Sequence, residues 1–110
     1  MTDMTITIAK DFSRYPAGRY RNDGPYSGEK FRDDMLAPTL ALLGNGERLR
    51  ILMDGVRGYG SSFLEEAFGG LMRLQANLTP ELFWNKVEVV TEDASLKAEI
   101  TEYIADARNA

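Results

Sequence analysis

Along MTITIAK, Met4, Ile6 and Ile8 fall on one side and Thr5 and Thr7 on the other. A period of two with β-branched residues predicts a half-buried strand. ERLRILMDGV predicts a second strand, with Leu49, Ile51 and Met53 on one face and Leu52 on the other. KVEVVT predicts a third, in which Val87 and Val89 alternate with Glu88. Elsewhere the period lengthens to that of a helix. Phe31, Leu36, Leu40 and Leu43 form the apolar stripe of a helix from about Gly28, capped by Ser27, with Glu29 in its first turn. Gly44-Asn45-Gly46 stops it, and Pro38, which lacks a backbone donor, is expected to kink or split it. A second helix is predicted from about Ser62 to Gln75, with Leu64, Ala67, Phe68, Leu71 and Leu74 on one face. Inside it, Gly69-Gly70 costs about 1 kcal/mol per glycine relative to alanine, so either close packing or a break is expected there. Thr79-Pro80-Glu81 opens a short helix reaching about Asn85. Asp93 caps a last helix whose buried stripe is Leu96, Ile100, Tyr103, Ile104 and Ala107.

Strands alternating with helices of this length imply crossover connections and a largely parallel sheet. The expected class is α/β, with about four mostly parallel strands and helices packed on the sheet. One of the four is assigned to the segment DFSRYPAGRYRNDGPYSGE. That segment carries two prolines, three glycines and Tyr15, Tyr20 and Tyr26 among arginines. It reads as a loop or loose hairpin, either covering the sheet edge with its tyrosines or serving a function. No repeat or linker divides the chain, and residues 1–110 are expected to form one domain.

Composition narrows the chemistry. The chain has 110 residues, 44% of them hydrophobic and 27% charged, enough for a core without staples. It contains no cysteine and no histidine. Disulfides, thiolate chemistry, Ser-His pairs and the commonest metal ligand are therefore all missing. No catalytic, metal or cofactor site is expected, and the chain is read as non-enzymatic. The net charge of −4 and a pI of about 4.8 disfavour nucleic acid as a partner. No secretory leader is read in residues 1–9, and no apolar run approaches a membrane span, so no membrane partner and a cytoplasmic location are expected. Charge is nonetheless uneven. Arg19, Arg21 and Arg32 lie in a basic stretch that is a candidate for an anion or a nucleotide.

The stretch GYGSSFLEEAFGGL, from Gly58 to Leu71, follows a strand end and opens a helix. In open α/β sheets, binding sites lie beyond the carboxyl ends of the strands. Ser62-Phe63-Leu64-Glu65 has the form of a capping box. Ser61 and Ser62 are weak nucleophiles here: the run is not G-x-S-x-G, no S-x-x-K occurs, and no histidine can take the proton. The neighbours Glu65-Glu66 and Asp33-Asp34 point about 100° apart on a helix and do not face one another. A phosphate on either serine would gain from the N–H groups and dipole of the helix start, with Arg57 near enough in sequence to offset part of its charge.

Two stretches, GRYRNDGPYSGEKFR and GYGSSFLEEAFGGL, resemble the STAS domains, and more closely a bacterial group called the STAS-like domain of unknown function. The resemblance covers most of the chain and implies a small STAS-like sandwich. In the wider family, antagonists of anti-sigma factors carry a serine pair, commonly within D-S-S-G-L, at a helix start. A histidine-kinase-like ATPase acting as a serine kinase phosphorylates it and thereby releases its partner. By resemblance, Ser62 matches the phosphoacceptor and Ser61 the serine before it, with Gly60 in place of the usual Asp and Phe63 in place of the usual Gly. The resemblance thus implies a regulatory, partner-switching protein that docks such an ATPase or another regulator through Gly58, Tyr59, Gly60, Phe63, Glu65 and Glu66. The alternatives are a nucleotide or anion sensor using the Arg19–Tyr26 loop, and a purely structural assembly domain.

Overall fold

A computed structural model describes residues 3–107. The outermost residues of the expected 1–110 domain, and the first two of the segment read for a leader, lie outside it. The sheet has three strands, β1 (Met4–Thr7), β2 (Leu49–Leu52) and β3 (Val87–Val90), in the order β1-β2-β3 and all parallel. Among the described residues they are accompanied by the helices α1 (residues 28–42), α2 (residues 61–74), α3 (Pro80–Lys86) and α4 (Ala94–Asp106), with a wide helical turn at Ile8–Phe12 and a tight one at Arg21–Asp23.

The register places Met4 beside Leu49 and Leu49 beside Val87, then Ile6 beside Ile51 and Ile51 beside Val89. These rows form the buried face, except that Met4 is only half-buried. The intervening row of Thr5, Arg50 and Glu88 is exposed. One face of the sheet is buried and the other exposed, so the crossover helices cover one face. α2 lies between α1 and α4 and packs on both.

The fourth strand expected from the tyrosine segment is not formed. Its backbone donors are taken locally. Asp23 Oδ2 accepts from the N–H groups of Arg19 and Tyr20, at 3.1 and 2.8 Å. Glu29 Oε1 accepts from the Arg21 N–H at 2.9 Å. The loop then folds back on itself and on the start of α1, with Ala17 N–H donating to Tyr26 O, Gly28 N–H to Gly18 O and Glu29 N–H to Arg19 O. Tyr15, Tyr20 and Tyr26 are all exposed.

Caps read from the sequence close three of the helices. The Ser27 hydroxyl accepts from Lys30 N–H, the Thr79 hydroxyl from Leu82 N–H, and Asp93 from the N–H groups of Ser95 and Leu96. Pro38 neither splits nor ends α1. The turn ahead of it is widened, with Ala37 N–H donating to the Arg32 carbonyl five residues back. A wide turn relaxes the crowding that a proline ring imposes on the preceding carbonyls. α2 carries a matching wide turn, in which Gly70 N–H donates to the Glu65 carbonyl. The extra residue rotates the end of α2: Leu71 and Met72 are buried, while Leu74, expected in the apolar stripe, is exposed.

Candidate functional site

β2 ends at Leu52, and the chain turns through Asp54 to Gly60 before α2 begins at Ser61. The cap of α2 is Gly60, two residues earlier than a capping box at Ser62 requires. Gly60 has no side chain to offer, and no side-chain hydrogen bond closes the helix. The Leu64 N–H donates to Gly60 O, and the Glu65 N–H to the Ser61 and Ser62 carbonyls. The Ser62–Glu65 capping box is therefore not formed. Both serine side chains are exposed on the first turn of α2.

Glu65 is drawn elsewhere. Its Oε1 accepts from Arg19 Nη1 at 2.6 Å, and Arg73 grips it with two nitrogens, at 2.6 and 3.0 Å. Arg73 first, and Arg19 with it, hold the Glu65 carboxyl below its usual range against the opposing effect of burial. Glu66 is 8% exposed and pairs with the buried Arg32, with Arg19 at 3.4 Å and Arg73 at 3.8 Å. Arg32 also donates to Asp33 at 2.9 Å. Three arginines thus meet two adjacent glutamates where the wide turns of α1 and α2 face each other. Burying such charges is tolerable only when each is paired and hydrogen-bonded, as these are.

Glycines make room for this crossing. A Cβ on Gly28 would lie 2.5 Å from the Phe63 carbonyl oxygen, so α1 approaches the α2 backbone more closely than any side chain permits. A Cβ on Gly70 would lie 2.6 Å from Arg32 Nη1, and one on Gly69 2.5 Å from Glu65 Oε2. The glycine pair that looked unfavourable in the sequence therefore passes beneath two ion pairs, and the helix runs through it unbroken.

The other candidates separate into accessible and inaccessible groups. Gly58 and Gly60 are exposed, and Tyr59 is half-buried, donating its hydroxyl to Met53 O at 2.7 Å. Burial pushes the Tyr59 phenol well up, with Asp54 adding to the effect. Phe63 is fully buried among Phe12, Phe31 and Tyr59, with ring centroids 5.9–6.1 Å away. Phe63 and Glu66, named above for a partner surface, thus face inward. Arg19, Arg21 and Arg32 do not converge on the serine turn's N–H groups: Arg19 and Arg32 serve the glutamate cluster, and Arg21 pairs with Asp34 at 2.8 Å.

Beside the serine turn, at the carboxyl ends of β2 and β3, lies a cleft of about 340 Å³. Asp54, Arg57, Tyr59, Asp93, Leu96 and Glu99 are among its lining residues. Hydrogen bonds from the Thr91 hydroxyl and the Glu92 N–H hold the Asp54 carboxyl below its usual range. Glu99 Oε2 accepts from the Tyr103 hydroxyl at 2.7 Å, which raises the Tyr103 phenol. Sequence reasoning missed Arg73 as a partner of Glu65. In a regular helix residues eight apart stand about 80° from each other, and only the wide turn brings them onto one face. Among the described residues no group of three or more acidic side chains gathers closely enough to hold a metal ion, and no helix is long and apolar enough to cross a membrane.

A family model described as a STAS-like domain of unknown function matches residues 27–81, half of the chain. The matched span runs from the Ser27 cap through α1, β2 and α2 to the start of α3, and so contains both the serine turn and the glutamates of the ion cluster. No curated protein and no solved structure matches the chain.

Proposed function

This chain belongs to the family of STAS-like domains of unknown function, and from that premise we propose that it is a non-enzymatic regulatory module that binds another protein through its serine turn. The observation that carries the reading is the open start of α2. Ser61 and Ser62 are exposed, and no side chain caps the helix. A phosphate on either serine would meet first-turn N–H groups and the positive end of the helix dipole. It would also add about −1.5 to −2 charges beside the Gly58–Gly60 turn, enough to change what docks there. The docking surface in this reading is Gly58, Tyr59 and Gly60 with the two serines. Glu65 stands behind it, tied to Arg19 and Arg73. The proposed partner is a histidine-kinase-like ATPase acting as a serine kinase, and Ser62 is the first candidate acceptor.

The test uses the purified chain with such an ATPase and ATP, followed by intact-mass and peptide spectrometry. A single added phosphate on Ser62 or Ser61, lost in the matching Ser→Ala variant, is the expected result. Gel filtration of the two proteins should show a complex with wild type that Ser62→Glu weakens. An active kinase that leaves both serines unmodified, together with no complex in either form, overturns the reading.

A further inference from the structure

A second cleft lies between the tyrosine loop and the start of α1. Its volume is about 440 Å³, within the range of small-ligand sites, and it is lined by Arg21, Gly24, Pro25, Tyr26 and Lys30. We propose that this cleft binds an aryl anion: a flat ring carrying a phosphate or a carboxylate. The proposal is independent of the serine-turn reading.

Charge points to the anion. Among the described residues, the charged ones lining the cleft are Arg21 and Lys30. Asp34, outside the lining, joins them: its Oδ1 accepts from Arg21 Nη2 at 2.8 Å and its Oδ2 from Lys30 Nζ at 3.0 Å. Asp34 thus bridges the two cations through both of its oxygens, and Asp33 and Glu29 also lie within electrostatic reach of Arg21. The Arg21 hydrogen bond first, and that of Lys30 second, hold the Asp34 carboxyl below its usual range. The nearby Glu29 carboxylate is occupied through Oε1 by the Arg21 backbone N–H. A guanidinium has five donors and an ammonium three, so each cation retains donors beyond the one Asp34 takes. Asp34 also fixes their positions, which lowers the ordering penalty when an anion arrives.

The ring follows from the other wall. Tyr26 is 40% exposed, and its ring is braced edge-on against Phe12, with centroids 5.6 Å apart and planes at 79°. Pro25 beside it is exposed. A braced aromatic with an open portion, next to a proline, offers a flat apolar surface at little entropic penalty. The backbone between these walls is held by Ala17 N–H to Tyr26 O and by the Asp23 carboxylate, so the cleft is formed before a ligand enters. The anion needs the fork of Arg21 and Lys30, and the ring needs Tyr26. A ligand bearing both spans the cleft.

Titration of the ¹⁵N-labelled chain with phenyl phosphate, benzoate and inorganic phosphate tests this. Phenyl phosphate or benzoate should shift the amides of residues 20–30, more tightly than inorganic phosphate does. The arm that binds better identifies the anion. Arg21→Gln with Lys30→Gln should weaken binding by roughly tenfold or more, and added salt should weaken it in the wild type. Tyr26→Ala should weaken the aryl ligands and leave inorganic phosphate unchanged. Dispersed spectra of the variants establish that they fold. The proposal is overturned if none of the three shifts residues 20–30 at millimolar concentration, if the double glutamine variant binds as wild type does, or if inorganic phosphate binds as tightly as the aryl anions.

Discussion

Gly60 decides what the two serines after it can do. A serine at that position would spend its hydroxyl on closing the helix; glycine leaves the start of α2 without a side-chain cap, and Ser61 and Ser62 stand in the first turn instead. Their hydroxyls are then not needed for helix closure. Ser62→Ala should change stability by less than about 0.5 kcal/mol, as surface substitutions away from special features do. Thr79→Ala, by contrast, removes an acceptor of the Leu82 N–H and should cost about 1 kcal/mol. Urea unfolding of the two variants side by side checks this. A large loss in Ser62→Ala would show that its hydroxyl holds structure after all. If the loss is small, a binding defect in the same variant reports on the surface and not on folding. The sequence signal at this point was a true S-x-x-E spacing that the fold did not use. Glu65 had stronger claimants in Arg73 and Arg19, and a carboxylate gripped by arginines is not free to reach back to a helix start.

At the scale of elements, α1 was legible from its Ser27 cap and apolar stripe, and α2 from its apolar stripe alone. Their wide turns were not, since no local residue pattern demands them. Pro38 marked one, and Gly69-Gly70 marked the other only as an apparent penalty. The two helices meet through the arginine–glutamate cluster, and that meeting depends on pH. The Glu65 carboxyl lies below its ordinary value of 4.5 in the folded chain. Between the folded and unfolded values the unfolded chain binds more protons, so stability rises with pH there. The contribution of Glu65 is therefore complete above 4.5 and lost as pH falls through the lowered value. Urea midpoints followed from about pH 7 to about pH 3 should fall in the acid range. Glu65→Gln should be less stable than wild type at neutral pH and should show a shallower acid fall. A parallel pair of curves would mean that Glu65 does not couple to the proton. Arg19 extends the same cluster to the tyrosine loop, which is how a loop carrying two prolines and no strand pairing stays seated beside α2.

Over the whole molecule, the alternation of strand and helix was enough to read the α/β class and the parallel pairing. The count of strands was not, because the tyrosine segment has strand-like aromatic content but satisfies its backbone through Asp23, Glu29 and α1. The absence of that strand leaves β2 alone in the middle, bonded on both sides, while β1 and β3 are edges. Amide exchange should therefore be slowest at Leu49–Leu52, with β1 exchanging faster; equal protection across the three strands would contradict this order. The same order has a kinetic side. Met4 must find Leu49 and Leu49 must find Val87, so neither pairing of the central strand is local. Helices of this length can flicker into existence within about a microsecond, whereas distant strand pairing carries the chain into the slower range of α/β domains. The barrier to folding then belongs to the closing of β2 between its neighbours. Until that moment the serine turn is only the loose end of an unpaired strand, and it takes its shape as the sheet completes.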